Sequence, residues 1–80
     1  MIKKWKKGKW SYELCLKDNV ITLSKRGGAE TIGAPGEILF YTKTLKSEAA
    51  ALTEFQKLKE KSQLNPMQLG FVSSGSALLN

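Results

Sequence analysis

The 80-residue chain has no histidine, one cysteine (Cys15), one arginine (Arg26) and two prolines. Each scarcity removes a class of chemistry. Without histidine there is no histidine-based catalytic triad. One cysteine and no histidine cannot make the usual Cys/His zinc site within one chain. A lone cysteine also forms no intrachain disulfide, which fits a reducing cytoplasm, the expected location. No apolar run approaches the roughly 18 residues of a membrane span. The lysines near the start are not followed by an apolar stretch, so they do not make a secretory signal.

Acidic residues are few, seven against thirteen lysines and arginines, for a net charge of +6 and a pI near 9.6. They are also spaced singly along the chain. Glu30 and Glu37 could meet across a bend, but nothing beyond proximity pairs them. Serine and threonine are plentiful without a histidine base, and nothing supports a lysine base. The expectation is therefore a non-enzymatic protein with no cofactor, no metal and no catalytic residues. The positive balance favours anionic partners: nucleic acid, an acidic protein or an anionic membrane surface.

The chain carries 41% apolar and 25% charged residues, an ordinary composition for a soluble globular protein, and its length suits one small core. Residues 1–9, MIKKWKKGK, hold five lysines and Trp5. Their mutual repulsion predicts a basic N-terminal arm or an exposed edge strand. Residues 10–17, WSYELCLK, alternate. Trp10, Tyr12, Leu14 and Leu16 fall on one side and Ser11, Glu13, Cys15 and Lys17 on the other, the period of a half-buried strand. Asp18-Asn19 is a turn pair, and the β-branched VITLSK of residues 20–25 completes a hairpin.

Lys25–Gly36, KRGGAETIGAPG, contains four of the seven glycines. It serves either as a turn-rich connection or as a surface that another molecule approaches closely. A short strand fits at about 30–32. It is not a phosphate loop: it lacks G-x-x-x-x-G-K-[ST], and no helix follows it directly. Residues 37–43, EILFYTK, are apolar on both faces, as in a central strand. Ser47 then caps a helix over 48–61 whose stripe is Ala51, Leu52, Phe55 and Leu58. Asn65-Pro66 stops it. Residues 67–72, MQLGFV, fit a last short strand, and 73–80 a flexible tail.

The fold class expected is α+β, a small antiparallel sheet of four or five strands with one amphipathic helix packed on one face. The domain spans 10–72, between the basic arm at 1–9 and the tail at 73–80. The binding residues expected are Lys25, Arg26, Gly27 and Gly28 at the loop entry, helped by Lys6, Lys7, Lys9 and Trp5. Lysine neutralises phosphate as a point charge, the arginine fork holds it with two hydrogen bonds, and an indole stacks on a base. The first expectation is a module that binds DNA or RNA mainly through phosphates. The alternative is a protein-protein interaction module that recognises an acidic partner through a sheet edge or the basic arm. A third possibility, peripheral membrane binding by WKKGKW, suffers from the break at Gly8.

Two strands, a glycine loop ending TIGAPGE, a strand and the helix SEAAALTEFQKLKEK together resemble the WGR domain of poly(ADP-ribose) polymerases and small bacterial proteins. Ile32, Gly33 and Gly36 match its loop. Ala51, Phe55, Leu58, Glu60 and Lys61 match its helix, and Gly70-Phe71 is similar to the Gly-aromatic pair that often follows. The resemblance covers roughly residues 10–71. It implies a curved antiparallel sheet with one helix packed on it, and nucleic-acid or interdomain binding without catalysis. The naming triplet is replaced: Ala29, Glu30 and Thr31 precede Ile32. The DNA contact made by the family's tryptophan is therefore not transferred.

Overall fold

The alternation in WSYELCLK and the turn at Asp18-Asn19 produce a hairpin with Lys17 opposite Val20. Asp18 takes the positive φ of 55° that a two-residue turn requires, a conformation Asp adopts more readily than most residues. The computed structural model describes residues 1–27, 37–61 and 64–78. In it the elements run β1 (Ile2–Lys7), β2 (Trp10–Lys17), β3 (Val20–Gly27), β4 (Glu37–Thr44), α1 (Glu48–Leu58) and β5 (Val72–Leu78). The five strands form one antiparallel sheet in the order β1-β2-β3-β4-β5. The architecture is α+β, mostly strand.

Directly opposed residues of an antiparallel pair share a face, so the register assigns every paired strand residue to one of two faces. Tyr12, Leu14, Ile21 and Leu23 lie on one, with Leu14 opposite Leu23 and Tyr12 opposite Lys25. These four are buried, together with Phe55 and Leu58 of α1, Leu64 and Phe71, in a single hydrophobic cluster. Trp5, Trp10, Leu16 and Tyr41 pack against it. Trp5 stacks on Tyr12 with ring centroids 5.0 Å apart and planes 13° from parallel. Such a pair contributes about 0.5–1.5 kcal/mol beyond the area it buries.

Ser47 caps α1 by accepting a hydrogen bond from the Ala50 amide at 3.1 Å. Glu48 lies at the positive end of the helix dipole and Lys57 at the negative end. The helix closes at Leu58, a turn earlier than its helix-forming composition suggests. Of the expected stripe, Ala51, Phe55 and Leu58 are buried, but Leu52 is 40% exposed. Leu52 follows Ala51 by one residue, about 100° around the helix, which turns it off the stripe.

Of the two forms expected for residues 1–9, an arm or an exposed edge strand, residues 2–7 take the edge strand, with Trp5 opposite Tyr12 and Lys7 opposite Trp10. The ladder and the Trp5 stack hold it, while alternation turns Lys4 and Lys6 to the opposite face. The other end of the chain differs from expectation. Residues 72–78, including most of the expected tail, form β5 on β4. Small uncharged residues satisfy a backbone ladder without presenting an apolar alternation. MQLGFV is instead mostly turn. The Pro66 carbonyl accepts from Leu69 at 3.1 Å and Phe71 at 3.0 Å, and Gly70 takes a φ of 84°. The strand expected at about 30–32 lies outside the described residues.

Burial pushes the Tyr12 phenol above its ordinary pKa near 10. The folded protein therefore keeps this proton when the unfolded chain releases it. The associated stability is complete below about pH 10 and is lost as pH rises beyond it. Urea midpoints measured at about pH 9 and pH 11 should fall more for the parent than for Tyr12→Phe. Equal falls would show that Tyr12 is not the titrating group.

Candidate functional site

Alternation determines where the basic side chains go. In β3, Ile21 and Leu23 enter the core, so Lys25 follows them onto the same face and Arg26 takes the other. Arg26 lies opposite Ser11 and Ile38, and Ser11 lies opposite Lys6. One row across the sheet therefore reads Lys6, Ser11, Arg26, Ile38. The adjacent row reads Lys4, Glu13, Ser24, Phe40, Gly75. Rows on one face are about 7 Å apart along a strand, and strands about 4.8 Å apart, so both rows belong to one local surface.

That surface carries an open groove of about 480 Å³, whose lining also includes Trp5 and Tyr12 where β1 pairs with β2. Lys4, Lys6 and Arg26 supply its cations, Ser11 and Ser24 its hydroxyls, and Ile38 an apolar wall. Glu13 also lines it and pairs with Lys4 at 3.7 Å. Both partners are well exposed, so the pair adds about 0–1 kcal/mol. Lys6 and Arg26 have no ion-pair partner among the described residues. Three cations against one carboxylate leave the groove positive.

The structure thus brings together Lys6, Arg26 and Trp5 of the expected site around the groove and separates them from Lys25, Lys7 and Lys9. Lys25 is on the core face, its ammonium 4.4 Å from the Trp10 ring centroid and 5.8 Å from that of Tyr12. Lys7 shares that face by register, and Trp5 is engaged with Tyr12. Lys9 stands in the turn between β1 and β2, after Gly8, whose φ is 61°. Gly27 is buried at the end of β3. Gly28 lies outside the described residues, as do Ile32, Gly33 and Gly36 of the loop motif. Lys4, Ser11, Ser24 and Ile38 join the site although the sequence did not single them out for it. The outward set of β2 was visible, but the register that brings β1 beside it was not.

Two other lysines are structural. Lys3 donates to the Lys59 carbonyl and lies 5.0 Å from the Trp5 ring centroid. Lys43 pairs with Glu54 and donates to the Leu69 carbonyl at 2.7 Å, tying β4 to α1 and to the turn before β5. Among the described residues no group of three or more His, Cys, Asp or Glu could hold a metal ion. No helix among them is long and apolar enough to cross a membrane. No family model, curated protein or solved structure matches the chain.

Proposed function

We propose that the protein is a small non-catalytic module that binds nucleic acid, with the groove of Lys4, Lys6 and Arg26 as its phosphate-binding surface. The helix covers the core face of the sheet and leaves the groove face open to the ligand. The observation that carries this is the convergence of three cations from two strands on one open surface, two of them without an ion-pair partner among the described residues. Arg26 contributes a two-pronged hydrogen bond to phosphate and the lysines contribute charge. Glu13 opposes phosphate, and Lys4 beside it offsets that repulsion. The overall +6 charge draws the polyanion in. The WGR resemblance points the same way in its general function, though through different residues.

Three phosphate contacts predict a log–log salt slope of about −2 for a single strand and about −3 for a duplex. Affinity for a labelled single strand should therefore drop by about an order of magnitude between 50 and 200 mM salt. Fluorescence anisotropy measures both slopes. No binding at low salt, or binding indifferent to salt, overturns the proposal.

The β1 edge favours a second partner class. It carries four lysines in six residues on an edge strand whose outer side pairs with no described strand. An acidic protein could add a strand there. Recovery of such a protein from nuclease-treated lysate, with no affinity for oligonucleotides, supports that alternative.

A further inference from the structure

The two rows of the groove are not uniformly basic. Their β1 and β3 positions hold Lys4, Lys6 and Arg26, and their β4 positions hold Ile38, which lines the groove, and Phe40, which continues its row beyond the groove lining. Both apolar side chains are only half-buried. Phe40 is flanked in register by Ser24 on β3 and Gly75 on β5, the smallest neighbours the row contains. A Cβ built at Gly75 meets nothing within 4 Å, so the space beside the ring is open. A glycine inside a strand commonly marks a place where a ligand or another backbone comes close. Arg26 is directly opposite Ile38 and one diagonal step, about 7–8 Å, from Phe40. A cationic strip for phosphates thus runs beside an apolar, aromatic strip.

We infer that the groove takes a single strand, with its phosphates along Lys4, Lys6 and Arg26 and one base packed on Phe40 and Ile38. This rests on the nucleic-acid role proposed for the same groove. A duplex fits poorly, because its base faces are stacked inside it and out of reach of the apolar strip. An unpaired strand exposes base faces, and stacking on an aromatic ring is tolerant of sequence. A polyanion without bases would use the cationic strip and leave the apolar one idle.

Three probes of equal length separate these cases: oligo-dT, an abasic sugar–phosphate oligomer and a blunt duplex. They are titrated against the full chain and against Phe40→Leu, which keeps an apolar side chain at the position. The expected result is oligo-dT binding about tenfold or more tighter than the abasic oligomer. It should also exceed the duplex, despite the duplex's higher charge density. Phe40→Leu should remove most of the advantage over the abasic oligomer and leave abasic binding unchanged. Equal affinity for oligo-dT and the abasic oligomer overturns the inference while leaving the phosphate role standing. So does a duplex that binds at least as well as oligo-dT. Failure of all three probes at low salt overturns the phosphate role itself, and the inference with it.

Discussion

Replacing Phe55 with alanine should destabilise the protein by about 3–5 kcal/mol, the usual cost of deleting a buried aromatic ring. Phe55 is 2% exposed and sits in the cluster that joins α1 to Tyr12, Leu14, Ile21 and Leu23. At about 0.05–0.15 kcal/mol per residue, an 80-residue domain holds a total on the order of 4–12 kcal/mol. The variant therefore forfeits a large share of that total. At about 4–8 °C per kcal/mol for a domain of this size, the melting temperature should fall by at least 12 °C. A circular dichroism melt measures it. Leu52→Ala is the control on the same helix. Leu52 is 40% exposed, so its loss should change stability by no more than about 0.5 kcal/mol. Comparable losses at both positions would mean that α1 does not present the Phe55 stripe to the core.

The sequence conveyed the fold where side-chain chemistry carries a period. WSYELCLK alternates strictly, and it became β2 over the residues expected. Ser47 followed by EAAAL announced a cap and a helix, and both are present. Where the backbone alone makes the structure, the sequence was silent. VSSGSAL has no apolar alternation, yet it pairs along β4, with a bulge where Phe40 and Tyr41 meet Gly75 and Ser73. MQLGFV looked more like a strand than VSSGSAL does, but Pro66 and Gly70 turn the chain there instead. IKKWKK fitted either a solvated arm or an edge strand because charge dominates it. Its strand character depends on pairing with β2, a partner whose register no local pattern specifies.

The site was half legible for the same reason. Lys25 and Arg26 are adjacent in sequence and seemed one feature when placed in a loop. β3 runs on to Gly27, however, so period two sends them to opposite faces. Lys25 then serves the aromatic cluster around Trp10 and Tyr12. Extending the inward set Ile21, Leu23 by one step would have separated them from sequence alone. No such step finds Lys4 and Lys6, which reach Arg26 only across two strand pairings.

This separation makes the strongest functional prediction. Arg26→Gln and Lys7→Gln each remove one charge, taking the chain from +6 to +5. A binding mode governed by net charge would weaken equally in both. A binding mode located in the groove would not. Arg26 lines the groove, whereas Lys7 lies on the other face, opposite Trp10. Charge-assisted hydrogen bonds contribute about 1.5–3 kcal/mol, so Arg26→Gln should weaken oligonucleotide binding by about 10- to 100-fold. It should also reduce the salt slope by about 0.7–0.9, the share of one phosphate contact. Lys7→Gln acts only through the long-range field, which salt screens within about 10 Å at 0.1 M, and should cost less than about threefold. Arg26 is an exposed side chain, so neither its loss nor that of Lys7 should shift the thermal melt appreciably. Equal losses of affinity in the two variants would show that the charge acts as a diffuse field. A larger loss at Lys7 would move the binding surface to the face that carries Lys25 and the tryptophans.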